Sequence, residues 1–319
     1  MIWFFTPYSF EKKLFEAFDA YMNLGFKYIL EQYKKQSLLS FMIEILNWII
    51  DKVEDCYYYI DPQKHIYYDA VNTCFIRDIG ENTNWDANSL ETPDCRFDLD
   101  CDPSRPLEVV PDWGSNINLF SVGQERNWNF VTNIIEPVDC FINEFFNKPQ
   151  ETNKVMIDDL VDQFCGYYKF HPTKEVFYFK DKYGDHRQPN VKNSKSFNIQ
   201  AIERFEKHGW TVFPMSHKGM EPPQHDKYLL WTNILKGNNP EFPTVIFNGK
   251  NCKYTIISMN NTKVIERNGK FDKDKSSERS KKILPEKATH FSDAVDKRMW
   301  TKYGEKIYRN TSGFVNPRW

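Results

Sequence analysis

Several things are missing from this chain, and each absence removes a class of function. Its 319 residues hold seven cysteines, at positions 56, 74, 95, 101, 140, 165 and 252, and no two form a Cys-x-x-Cys pair. An odd, scattered set fits no complete disulfide framework and agrees with a reduced, intracellular setting. There is no long apolar run: the most apolar stretch, residues 38–53, is interrupted by Glu44, Asn47 and Asp51 and is too short to span a bilayer. The N-terminus, Met1-Ile2-Trp3-Phe4-Phe5, lacks the basic residues and small-residue cleavage site of a secretory signal. No glycine-rich phosphate loop ending in Gly-Lys-Ser/Thr is present; Gly249-Lys250-Asn251 comes nearest, without the upstream glycine or the hydroxyl. Nor is there a charge excess, since 42 Lys and Arg stand against 44 Asp and Glu, a net charge of -2. That balance argues neither for nor against a nucleic-acid partner.

What is present is a chain able to build a substantial core, with 40% hydrophobic and 16% aromatic residues. Its length allows one large domain or two modest ones. Residues 10–33 and 39–50 carry apolar residues at helical spacing, and the aromatic runs 56–60 and 65–68, separated by Asp61-Pro62, predict a hairpin. Residues 78–102 hold eight acids against the single base Arg96. The alternating Phe97-Asp98-Leu99-Asp100-Cys101-Asp102 lacks the glycine and terminal glutamate of an EF-hand and reads as a solvated strand or loop. We therefore expect an N-terminal helical and hairpin extension over 1–104 and an α/β domain over 105–319.

Within that second part, 106–110, 117–124 and 128–135 read as three strands joined by short connections, an antiparallel meander. A helix over 155–168, a strand over 176–179, a helix over 197–208, a strand from 210 and a helix over 226–236 follow. Two further extended segments, 244–247 and 254–258, precede a polar stretch and a final helix. This order predicts a mixed sheet with helices on both faces. Asp112 and Asp181 each stand at a strand exit close to a glycine, and Asp293 stands in the first turn of the final helix, where the helix dipole favours an acid. Each alone reads as an ordinary turn or helix-start residue. Together, three carboxylates brought to one sheet edge would repel unless cations lay between them. Mg²⁺ or Mn²⁺ suits such oxygen ligands, and two of these ions can activate a water and stabilise the leaving oxygen of a phosphodiester.

The motifs Pro111-Asp112-Trp113-Gly114, Tyr178-Phe179-Lys180-Asp181-Lys182-Tyr183-Gly184-Asp185-His186-Arg187 and Ala288-Thr289-His290-Phe291-Ser292-Asp293-Ala294 occur in that order. They resemble the C-terminal nuclease domain of the large terminase subunit of tailed bacteriophages, over about residues 105–305. The resemblance implies a ribonuclease H-like fold and metal-dependent endonucleolytic cutting of concatemeric viral DNA during genome packaging. It also implies Asp112, Asp181 and Asp293 as catalytic, metal-binding acids on two divalent cations, with Asp296 an auxiliary candidate that reads equally as a solvated helix residue. The ATPase motor of that family is not expected here. The implied partners are double-stranded DNA, a separate terminase ATPase chain, the small terminase subunit and the portal, in the host cell cytoplasm and with no membrane.

Residues 250–287 hold eleven Lys or Arg against five acids, directly before the final helix. They form either a solvated loop or the wall of a phosphate-tracking groove, with Lys250, Lys253, Lys273, Lys275, Lys281 and Lys282 as DNA contacts and Lys227 as a further one. His290 reads as a supporting residue and not as a ligand. Two other readings compete: another ribonuclease H-like strand-cutting enzyme of the transposase or resolvase type, and a catalytically inert docking module of a packaging machine.

Overall fold

Five of the apolar runs become strands of one sheet in the computed structural model, which describes residues 56–81, 93–151, 155–186, 195–237, 240–267 and 270–311. The helices expected over 10–33 and 39–50 lie outside the described residues. In chain order the elements are α1 (Pro62–His65), β1 (Ile66–Tyr67), α2 (Thr73–Glu81), β2 (Leu107–Trp113), β3 (Asn118–Arg126), β4 (Val138–Asn147), α3 (Met156–Tyr167), β5 (Glu175–Phe179), α4 (Phe197–Lys207), β6 (Thr211–Met215), α5 (Gln224–Lys236), β7 (Thr244–Asn248), α6 (Lys253–Asn261), β8 (Val264–Arg267), β9 (Lys270–Lys273) and α7 (His290–Thr311). The seven-stranded sheet runs β1-β7-β4-β3-β2-β5-β6, and β8 with β9 forms a separate two-stranded ribbon.

Strands β2, β3 and β4 are antiparallel neighbours, as short connections require. Strand β5 then adds to β2 in parallel, and β6 to β5, each reached through a crossover helix. Three antiparallel strands followed by two parallel ones form the mixed sheet expected from the element order, in the ribonuclease H-like arrangement that the motif resemblance implies. Strands β7 and β1 extend the sheet at its other edge in parallel with β4. Alternation along β2 divides its side chains between two cores. Leu107, Val109 and Trp113 pack with Phe164 of α3 and Phe205 of α4, whereas Val110 packs with Phe291 and Ala294 of α7.

Four expectations change. The third strand is not 128–135 but β4, and the earlier segment is a turn closed by a single bridge between Asn129 and Ile134. Residues 254–258 lie in the helix α6, not in a strand. Thr255, Ile256 and Ile257 are β-branched, but Glu144 of β4 accepts hydrogen bonds from the amides of Tyr254 (2.6 Å) and Thr255 (2.7 Å). A cap supplied from another strand thus closes the helix start. The hairpin over 56–68 does not form, because β1 pairs with β7 and Tyr57 and Tyr58 enter the core beneath α5. Asp100, expected in solvent, is fully buried, where it accepts hydrogen bonds from Tyr67 (2.6 Å) and Asn248 (2.7 Å).

Two sets of polar contacts hold the helices in place, one between two helices and one between a helix and the sheet. On one face Arg204 of α4 makes a two-pronged contact with Asp162 of α3 at 2.7 and 2.6 Å, joined by His208 at 2.8 Å. These hydrogen bonds, those of Arg204 foremost, hold the Asp162 carboxyl well below the usual carboxylate range. A depressed pKa contributes stability above the unfolded-state value of about 3.9, and that stability is lost as pH falls below it. Asp162→Ala should therefore lower stability by about 1 kcal/mol at pH 7, the pair being partly solvated, and by less at pH 3. Urea unfolding at the two pH values reads this, and an equal loss at both would mean that packing is the cause.

On the other face Arg298 of α7 is fully buried and forms ion pairs with Glu108 of β2 and Asp139 of β4. Lys302, one turn on, reaches Glu108 at 3.0 Å, Glu125 at 2.7 Å and Asp139 at 2.8 Å. Gly123 of β3 makes the approach possible, since a Cβ there would meet the guanidinium carbon at 2.6 Å.

Candidate active site

Asp112 and Asp181 are brought level by strand register. Val109 of β2 pairs with Tyr178 of β5, and each aspartate stands three residues further on, Asp112 as the penultimate residue of β2 and Asp181 two residues beyond the end of β5. Helix α7 crosses this edge with its first turns seated on Val110, Leu119 and Phe179 through Phe291 and Ala294. Its residues His290, Asp293 and Lys297 recur at a spacing of three and four, so they share the face turned to the strand exits.

The central contact is a shared cation. Lys297 Nζ lies 2.7 Å from Asp112 Oδ1 and 3.2 Å from Asp181 Oδ2, so the two carboxylate oxygens are no farther apart than those two contacts together. His290 Nδ1 stands 3.0 Å from the other oxygen of Asp112. Burial works against ionisation of Asp112, but Lys297 and the His290 hydrogen bond outweigh it and hold the pKa down at about 2. For Lys297 burial is likewise outweighed, by Asp112 and Asp181, and its pKa rises. His290 follows the same pattern, with the Asp112 contact overcoming desolvation and raising its pKa.

Asp293 stands near enough to Asp112 to oppose its ionisation, yet its own partners are different. Lys273, at the end of β9, contacts Asp293 Oδ1 at 2.7 Å, and Lys275 pairs with Oδ2. These two ammonium groups overcome the burial penalty and keep Asp293 well below the usual carboxylate range. Asp296 is turned inward. It accepts hydrogen bonds from Tyr58 and Trp231, both at 2.7 Å, and pairs with Lys273 at 2.7 Å, so it is a buried hub and not a residue at the strand exits.

Among the described residues no group of three or more His, Cys, Asp or Glu is drawn together closely enough to hold a metal ion by itself. Lysines stand against these carboxylates instead, Lys297 between Asp112 and Asp181, and Lys273 and Lys275 on Asp293. The donor chemistry nonetheless fits a hard divalent cation: Asp112 and Asp181 are oxygen ligands, converge on one point, and there already accommodate a positive charge, the Lys297 ammonium. Asp112 and Asp181 would hold such an ion, whereas Asp293 is engaged by Lys273 and Lys275.

The basic candidates divide. Lys273 is buried with its ammonium in the Asp293–Asp296 pair, and Lys227 is buried against Glu221 at 2.7 Å, so neither presents its charge to a DNA backbone. Lys281 and Lys282 are exposed, and Lys275 is half exposed beside Asp293. Lys250 and Lys253 lie at the turn into α6 and its first residue. A small cleft of about 20 Å³ next to Asp181, room for a single water, is lined by Lys180, Lys182, His217 and Lys297.

Lys297 does not stand out in the sequence, because a lysine four residues after an aspartate on a helix reads as an ordinary surface pair. The one signal for it is the helical face it shares with Asp293.

The sequence matches no family model and no curated protein. In structure the chain is similar to the large terminase from a thermophilic bacteriophage in complex with ADP, over 88% of this chain at 13% identity and a TM-score of 0.41. It spans 52% of the length of that protein. It is also similar to a mutant nuclease domain of the large terminase subunit of bacterial virus Sf6 with manganese (63% of this chain and 91% of that one, 11% identity, TM-score 0.33). A further likeness is to Thermus thermophilus RuvC, over 65% of this chain and 96% of that one, at 14% identity and a TM-score of 0.28.

Proposed function

We propose that this chain is a metal-dependent DNA endonuclease of the ribonuclease H-like kind, acting on concatemeric viral DNA during genome packaging. The observation that carries the reading is the pair Asp112–Asp181, at the ends of adjacent parallel strands and sharing one cation position at the sheet edge. A divalent ion bound there supplies Lewis acidity and a more acidic water for phosphodiester hydrolysis. The chain's own contribution is to keep Asp112 ionised through Lys297 and His290, to keep Asp293 ionised through Lys273 and Lys275, and to offer the exposed Lys281 and Lys282 as phosphate contacts. Double-stranded DNA, a separate ATPase chain, the small terminase subunit and the portal are the partners this reading implies, in the host cell cytoplasm.

The purified chain should nick or linearise plasmid DNA with Mn²⁺ or Mg²⁺ and not in EDTA, and Asp293→Asn should reduce cutting; full activity in that variant would remove Asp293 from the site. Charge reversal at Lys281 and Lys282 should weaken DNA binding and make the salt dependence shallower, by about one unit of slope for each phosphate no longer neutralised. An unchanged salt slope would identify them as solvated loop residues.

One observation favours a second reading, an inert docking module: Asp112, Asp181 and Asp293 each already have a lysine partner. Thermal unfolding separates the two. A metal site should gain about 2.7 kcal/mol at an ion concentration one hundred times its Kd, and an inert module should gain none.

A further inference from the structure

A second cavity lies away from the acidic pair. Its volume is about 300 Å³, and Tyr167 of α3 forms one of its walls, whereas Asp112 is directed to the α7 face. It opens where β1 and β7, neighbouring parallel strands, both end: Tyr68 follows β1, Asn248 is the last residue of β7, and Lys250 and Asn251 lie just beyond it. Crevices beyond the carboxyl ends of parallel strands are where open α/β sheets hold ligands.

The lining has two characters. Tyr68, Val71, Ile76 and Phe97 give it flat and apolar surface. The Tyr68 ring is 58% exposed and lies over Gly249, where any Cβ would run into it. Asp98, Asn143, Asn248 and Asn251 give it a carboxylate and three amides. Asp98 is held in place by Tyr167, whose hydroxyl donates to Oδ2 at 2.5 Å, and by Asn251, which donates to Oδ1 at 3.3 Å. Each carboxylate oxygen keeps a further acceptor site after these bonds.

The turn at Gly249 is not a phosphate cradle, although it carries a Gly-Lys pair. Its amides are already used: Asn248 Oδ1 accepts from Lys250 at 2.9 Å and from Asn251 at 3.0 Å, and Glu144 takes the first amides of α6. What remains for an anion is the Lys250 ammonium, which makes no ion pair among the described residues. A ligand suited to this cavity is therefore flat, carries a hydrogen-bond donor on one edge, and bears one negative group. An aliphatic amine would use the carboxylate but leave the aromatic and apolar walls unmatched.

We propose that this cavity binds a single nucleotide whose base carries an exocyclic amine, with the base against Tyr68, the amine donating to Asp98 and the phosphate meeting Lys250. Aromatic stacking combined with hydrogen bonds to a base edge is how unpaired bases are recognised by proteins. The site is separate from the acidic pair and does not rest on the nuclease reading.

Isothermal titration calorimetry of the full chain in EDTA, with dCMP, dAMP, dGMP and dTMP as probes, tests this. The amino-bearing nucleotides should bind, with dTMP at least tenfold weaker. Tyr68→Ala, at an exposed position that leaves the core intact, and Asp98→Ala should each weaken the best nucleotide at least tenfold. Lys250→Ala should abolish the advantage of dCMP over deoxycytidine. Equal binding of all four nucleotides, no binding at millimolar concentration, or unchanged affinity in Tyr68→Ala would overturn the proposal. Asp181→Asn should bind as the parent does, so loss of cutting and loss of nucleotide binding are told apart.

Discussion

Asp181→Asn is expected to lower metal-dependent DNA cleavage about a thousandfold, roughly 4 kcal/mol of barrier, while the protein stays folded. The reasoning starts from charge. Asp112 and Asp181 converge on one cation position, and an amide at the second site keeps the shape and one oxygen but removes half of the negative charge there. Lys297 would still pair with Asp112, so no buried ammonium is stranded, and the change should fall on cutting and not on stability. Plasmid cleavage in Mn²⁺ with thermal unfolding of the same preparations checks both halves. Near-parental cleavage would mean that Asp181 serves only to position Lys297.

The second large effect is one of stability. Arg298→Met should destabilise the chain by about 3–5 kcal/mol, because it leaves Glu108 and Asp139 buried with only Lys302 to balance them. Methionine fills much of the space beside Phe141 and Gly123, so packing loss is the smaller part. The cause can be isolated: adding Glu108→Gln and Asp139→Asn to Arg298→Met should recover part of the loss, since no buried carboxylate is then left unbalanced and Lys302 keeps Glu125 as its partner. Urea unfolding of the parent, the single and the triple variant reads this. A triple variant less stable than the single one would place the effect in packing.

Much of the sheet is legible in the sequence because its signals are local. The apolar run at 176–179 and the apolar residues Leu107, Val109 and Val110 around Glu108 mark strands buried on both faces, and the helices α3, α4 and α5 show apolar residues at helical spacing. The misplacements share one cause. Residues 254–258 are rich in β-branched side chains and are helical because Glu144, more than a hundred positions away, caps them. Residues 65–68 look like half of a hairpin, but their partner is β7, nearly two hundred positions on. Asp100 reads as solvated because an acidic run gives no sign of the tyrosine and asparagine that enclose it.

The site divides in the same way. Sequence alone determined that Asp112 and Asp181 stand at strand exits and that Asp293 opens a helix, since strand ends, turns and helix starts are written in neighbouring residues. Only the tertiary structure decided the charge balance around them. Whether a lysine reaches a carboxylate depends on which strand lies beside which and on how α7 crosses the edge. That geometry set Lys297 between Asp112 and Asp181, drew Lys273 out of the basic stretch into the core, and turned Asp296 toward Tyr58 and Trp231. Electrostatic pairing acts through space over a few ångströms, and a linear order of residues does not contain those distances.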